Sequence, residues 1–244
     1  MIKFVGLIFV ALITSGWQMA YAAEKEISQE PLTFFDASRA RSIPALIYKP
    51  LTPTAELMPV VIISHGYTIK NSEYSFIANA LSAQGYVVIS IQHDLESDPP
   101  RPKTGSLIER RKPFWERGVH NILFAISELR KTQNTLDLSK VILIGHSDGG
   151  DMNMLFATTY PQLVAKVISL DSLRVPFPTK DHIPILSLRA NDTKADDGII
   201  PKSGATIIRL KNARHIDMCD RGSAEINQEM VAYITAFLQK TNIQ

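Results

Sequence analysis

The stretch that most constrains this chain is residues 141–151, V-I-L-I-G-H-S-D-G-G-D. An apolar run, 141–144, stops at Gly145; Ser147 stands between Gly145 and Gly149; Met152, Met154, Leu155 and Phe156 then open a helical pattern. This is G-x-S-x-G between a strand and a helix, the setting in which the pattern forms a sharp turn. Small residues on both sides of the serine let the backbone make a strained elbow without side-chain collision. The elbow lifts the serine hydroxyl above the sheet edge. The helix behind it aims N–H groups and its positive dipole end at any oxyanion formed there.

Strands and helices alternate on either side of this elbow. Residues 33–37 and 43–48 read as a short antiparallel start. Residues 60–64 and 86–91 are apolar throughout enough to be buried on both faces of a parallel sheet. Residues 166–170, 185–190 and 205–210 are further strands, and 74–84, 118–130 and 224–238 are amphipathic helices. The alternation predicts a doubly wound, mostly parallel α/β sheet with helices on both faces. At 244 residues with 45% apolar content, residues 23–244 suffice for one such domain with a sizeable core. Residues 94–113, with four prolines and five basic side chains, read as a long surface segment at the carboxyl end of a strand, where such sheets carry their sites. That segment, with Trp115 beyond it, is the expected pocket wall. Residues 172–184 are too few for a large lid.

The first 22 residues read as a signal peptide. Lys3 supplies the positive start, residues 4–13 the apolar stretch, and Ala20-Tyr21-Ala22 a small-x-small cleavage site. The expected mature start is Ala23 and the expected location periplasmic or secreted, with an uncleaved membrane anchor as the alternative; the apolar run is short for a spanning helix. The formal charge of +2 gives no ground for nucleic acid as a partner. The single cysteine, Cys219, forms no internal disulfide; Asp217 and Asp220 beside it disfavour a thiolate, so it reads as buried rather than nucleophilic.

A serine hydroxyl needs a base within hydrogen-bond reach, and the base needs an acid to hold its tautomer. Of six histidines, His215 follows the last strand and precedes the closing helix, and is the expected base. His65 is expected to order the loop after its strand, His146 to pack or bond locally, and His93 to make a structural hydrogen bond; His120 falls on a helix and His182 in a loop. For the acid, Asp192 after strand 185–190 is the first expectation and Asp171, in S-L-D-S-L, the alternative, with Asp196 and Asp197 behind them. The oxyanion donors are expected to be the backbone N–H groups of Tyr67 and Asp148. The Asp148 carboxylate would oppose an oxyanion, so its side chain should turn away, toward Arg or Lys. No cofactor motif is present, and no metal is expected. H-E-x-x-H and cysteine clusters are absent from the sequence, and His215-x-Asp217-x-x-Asp220 fits the histidine-bearing loop better than a ligand set.

From about residue 43 onward the chain resembles the α/β-hydrolase superfamily, whose triad runs in the order Ser, acid, His. I-I-S-H-G-Y, G-H-S-D-G-G and S-L-D-S-L-R-V-P-F are similar to the platelet-activating-factor acetylhydrolase branch, which would place the acid at Asp171. P-I-L-S-L-R-A-N-D-T looks like the cutinase and polyester-hydrolase branch, which would place it at Asp192. The triad candidates and the resemblance together imply a serine hydrolase acting on a small-molecule or lipid-like ester through an acyl-serine; the signal peptide implies that it is exported, without stable membrane insertion once that segment is removed. An amidase or peptidase on the same triad, and a silent binding protein on the same fold, are the other readings.

Overall fold

The structure, a computed structural model, describes residues 26–52, 56–178 and 183–240. The expected signal peptide, its cleavage site and His182 lie outside the described residues. Eight strands form one sheet in the order β1-β2-β4-β3-β5-β6-β7-β8. They are β1 (Ile27–Asp36), β2 (Arg41–Pro50), β3 (Met58–Ser64), β4 (Val87–Ile91), β5 (Leu136–His146), β6 (Val164–Leu170), β7 (Ile185–Arg189) and β8 (Thr206–Arg209). β2 runs antiparallel to both β1 and β4; every other pair is parallel.

Period-two alternation divides the central strands between two cores. Val60, Ile62, Val87, Ile89, Val141 and Leu143 face one layer; Val61, Ile63, Val88, Ile142 and Ile144 face the other. The first layer is closed by α2 (Leu107–Thr132) and α3 (Asp148–Thr159), the second by α1 (Ser75–Ala83) and α4 (Ala224–Gln239). None of these helices is long and apolar enough to cross a membrane.

Two expectations are corrected. β1 begins at Ile27, ahead of the expected 33–37, because this end of the edge strand is open to water on both faces and so tolerates the consecutive polar residues Gln29 and Glu30. The basic segment 94–113 is irregular only to residue 106. Ser106 and Glu109 form a reciprocal capping box that starts α2 at Leu107, and the helix carries Pro113 within it. Trp115 therefore points into the first core, 3% exposed, and forms no pocket wall.

The chain leaves β3 for β4 on one side and returns to β5 on the other. The crevice between the carboxyl ends of β3 and β5 is thus the switch point of the sheet, where ligands of open α/β sheets bind. The elbow occupies it. A Cβ at Gly149 would lie 2.1 Å from the Ser64 carbonyl oxygen at the end of β3, and one at Gly145 would lie 2.4 Å from the Gly149 carbonyl oxygen. Both clashes are with backbone, which side-chain rotation does not relieve. Gly149→Ala is therefore expected to destabilise the protein by at least about 3 kcal/mol, at the upper end of overpacking effects. Chemical denaturation with an unchanged m-value checks this.

Candidate active site

Ser147 has φ of 52°, which non-glycine residues adopt only when their surroundings hold them there. Its N–H donates to the Leu170 carbonyl at 3.0 Å, which pins the elbow to β6. Thr68 (φ 64°) and Asp171 (φ 58°) are strained in the same sense. Of the four non-glycine residues with positive φ among the described residues, three therefore sit where the chain turns at the carboxyl ends of β3, β5 and β6, as at a strained functional site.

His215 lies in the turn after β8. Its Nε2 stands 2.9 Å from Ser147 Oγ and its Nδ1 2.6 Å from Asp171 Oδ2. An ionised carboxylate only accepts, so Nδ1 carries the proton and Nε2 is left to accept from the serine hydroxyl. Asp171 is fully buried and held from several sides. Arg189 lies 2.8 Å from Oδ1, the Ala190 N–H donates to Oδ1 at 3.2 Å, and the Thr193 hydroxyl donates to Oδ2. Burial pushes its carboxyl up, but His215, Arg189 and Thr193 outweigh burial and hold it below the ordinary value.

The expectation that Asp192 stands behind the imidazole is corrected. Asp192 is exposed, and its Oδ1 accepts the His215 backbone N–H at 2.7 Å. The reason is strand order. Asp171 directly follows β6, which pairs with β5, so its carboxylate lies next to the elbow; Asp192 follows β7, one strand further away. Asp196 and Asp197 are exposed, Lys194 pairing with Asp197.

The other histidines are wired into the frame. His146 Nε2 donates to the His215 carbonyl at 3.0 Å, and its Nδ1 accepts from the Tyr74 hydroxyl at 3.0 Å. The same hydroxyl accepts the Gly66 N–H at 2.9 Å. Burial, with His215 nearby, pushes His146 down to about 3, so it stays neutral. His65 Nδ1 donates to the Gly66 carbonyl at 2.8 Å while its Nε2 accepts the His93 N–H at 2.8 Å, so it orders the loop after β3. His93 Nε2 reaches Ser64 Oγ at 3.0 Å. His120 is exposed on α2. Cys219 is buried, its thiol bonded to the Ile216 carbonyl and pushed up by burial.

Tyr67 lies just past the end of β3, and Asp148 opens α3 next to Ser147 after the paired strand β5. Among the described residues no acceptor takes either backbone N–H. The Asp148 carboxylate, 1% exposed, is held by Arg101 and Arg111, basic partners of the kind expected for it. Burial pushes it up, but the two guanidinium groups outweigh burial and keep it ionised.

Sequence reasoning missed Tyr74, Arg189 and Asp151. A charge ending the otherwise apolar strand I-L-S-L-R was the available signal for Arg189. Asp151, on the first turn of α3, is fully buried. Its Oδ1 accepts the N–H groups of Leu173, Arg174 and Val175, and so fixes the loop after Asp171; its Oδ2 has no partner. Burial raises it to about 6. A carboxyl raised by folding stabilises fully below its unfolded value, near 4, and that stability is lost as pH rises through about 6. Asp151→Asn keeps an accepting oxygen and cannot ionise. Each pH unit between the unfolded and folded values is worth about 1.4 kcal/mol, so wild type is expected to lose on the order of 3 kcal/mol relative to Asp151→Asn between about pH 4 and pH 8. Denaturation curves of both proteins across that range measure the difference.

A family model described as chlorophyllase matches residues 21–173. A platelet-activating factor acetylhydrolase of Cavia porcellus is 26% identical over 227 residues, covering 73% of this chain and 52% of that protein. A putative esterase/lipase of Haemophilus influenzae is 31% identical over 124 residues, covering 51% of this chain and 38% of that protein. The chain spans about half the length, or less, of these curated relatives. A ferulic acid esterase from Streptomyces cinnamoneus superposes with a TM-score of 0.69 at 16% identity, over 90% of this chain and 91% of that one. A fungal esterase from Rhizomucor miehei gives 0.66 at 14% identity, over 90% and 84%. These structural likenesses carry the fold, which is that of the α/β hydrolases. With a family model matched over more than half of the chain and that fold around the match, the chain belongs to the chlorophyllase family.

Proposed function

We propose that this protein is a serine hydrolase of carboxylic esters. The observation that carries the reading is the hydrogen-bonded line from Ser147 Oγ through the His215 imidazole to the buried Asp171 carboxylate. Esterase and acetylhydrolase names among the relatives agree with it. In this reading Ser147 Oγ attacks the ester carbonyl carbon while His215 Nε2 takes its proton. The carbonyl π electrons move to oxygen, and the N–H groups of Tyr67 and Asp148 hold the resulting charge. Collapse breaks the bond to the alcohol oxygen, which receives the proton from Nε2, and leaves an acyl-serine. Water, deprotonated by the same nitrogen, then releases the acid. Asp171 keeps the proton on Nδ1 and stabilises the imidazolium. The substrate class is a small or lipid-like ester. Residues 1–22 would direct export, with Ala23 as the mature start; N-terminal sequencing of protein recovered from the cell envelope and medium tests that.

Ester hydrolysis over an acyl-chain series, with an acyl-enzyme burst, is expected from the wild type and absent from Ser147→Ala. No hydrolysis and no fluorophosphonate labelling in folded wild type would overturn the reading. Asp171→Asn should lower turnover by about 10⁴, because the amide holds the wrong imidazole tautomer. Asp192→Asn, which keeps an oxygen to accept the His215 backbone N–H, should lower it less than about tenfold, since at most a roughly 1 kcal/mol hydrogen bond is weakened. The reverse ranking would return the acid to Asp192.

A further inference from the structure

Arg101 lies in the irregular segment after β4, and Arg111 in the second turn of α2. Each guanidinium takes one oxygen of the Asp148 carboxylate. The Arg101 guanidinium also lies between two rings, 3.9 Å from the Tyr67 ring centre and 4.6 Å from that of Phe114. Its second amino group bonds Asp94 at 3.0 Å, and Asp94 is in turn fixed by Arg117 at 2.6 Å. One side chain therefore touches both Tyr67 and Asp148, whose backbone N–H groups are the oxyanion donors of the reading above. The loop after β3 and the elbow after β5 have no covalent link nearby. This guanidinium ties them together.

Charge gives the pair a second effect. The Asp148 carboxylate is buried one residue from the serine, in a setting where fields are poorly screened. Unpaired, it would oppose negative charge growing on a substrate oxygen. Two guanidinium groups on one carboxylate give Arg101, Arg111 and Asp148 a summed charge of +1, and Asp94, which also takes Arg101, is itself paired with Arg117.

Resting on the ester-hydrolase reading above, we propose that Arg101 and Arg111 are positioning residues of the oxyanion hole. They set the spacing of its two N–H donors through Tyr67 and Asp148, and they cancel the Asp148 charge that would otherwise oppose the oxyanion. They act on the transition state and not on the bound ester.

The test is steady-state hydrolysis of p-nitrophenyl butyrate by full-length protein carrying Arg101→Met, Arg111→Met, both, and both with Asp148→Asn. Folding is checked by near-UV circular dichroism. Outright removal of one oxyanion donor costs about 10² to 10³ in kcat. Donors displaced and opposed are expected to cost about 10- to 100-fold in kcat for the double Met variant, with KM within about threefold. Fluorophosphonate labelling of Ser147 should slow by a similar factor. Adding Asp148→Asn should restore kcat at least severalfold, since it removes the opposing charge. A purely structural pair of arginines would give no such rescue. Wild-type kcat in the folded double variant, a loss confined to KM, or a kcat loss that Asp148→Asn leaves unrelieved would each overturn the proposal. Should the Met variants fail to fold, Arg101→Lys keeps the charge but not the planar contact with Tyr67. It is expected to lower kcat at least about threefold at constant KM, and wild-type kcat in it would count against the proposal. A wild type that neither hydrolyses the ester nor labels at Ser147 marks failure of the hydrolase reading itself, and this role falls with it.

Discussion

Everything at the site depends on one steric constraint, the contact between the start of α3 and the ends of β3 and β5. The backbone of Gly149 lies so near the Ser64 and His65 carbonyl groups that no side chain fits, and Gly145 is closed in by Gly149. This approach seats the helix N-terminus in the switch-point crevice and forces Ser147 into a positive φ. Neighbouring strands hold the strain. The Ser147 N–H is bonded to β6, and the Asp171 N–H to the Leu188 carbonyl of β7. Free energy from two hydrophobic layers keeps a local conformation that the serine alone would not adopt.

Around that point, polar groups are fixed by directional bonds rather than by packing alone. His65, His93 and His146 are each buried and shifted down, mainly by burial, so they stay uncharged and serve as hydrogen-bonding struts. Tyr74 joins the loop after β3 to the elbow, and His146 carries that connection on to the His215 backbone. The loop bearing Tyr67, the elbow bearing Ser147 and the turn bearing His215 are therefore one hydrogen-bonded unit drawn from distant parts of the chain.

Three aspartates near the elbow show how surroundings set the state of one chemical group. Asp171 is ionised beside an imidazole and a guanidinium. Asp148 is ionised between two guanidinium groups. Asp151 has only backbone N–H partners on one oxygen and none on the other, and its carboxyl is raised to about 6. Residue type is the same in all three, so each state follows from what the fold places opposite the carboxylate.

The sequence by itself determined the elbow, the alternation of strands and helices, the place of Ser147 at the turn and the histidine after the last strand. These are local patterns: glycine spacing, apolar runs and chain order around Ser147 and His215. The loop order set by His65 and the buried state of Cys219 were also legible, because each follows from immediate neighbours. The start of α2 was written in Ser106 and Glu109 but masked by the prolines and charges around it. Only the tertiary structure placed Asp171, and not Asp192, against the His215 ring. Both follow strands and both contact His215, one through the ring and one through the backbone. The choice turns on which strand lies beside β5, and strand adjacency is a property of the sheet that no stretch of sequence contains. The same holds for the pairing of Arg101 and Arg111 with Asp148 and of Arg189 with Asp171, between 18 and 47 positions apart, which become neighbours only when the sheet is wound.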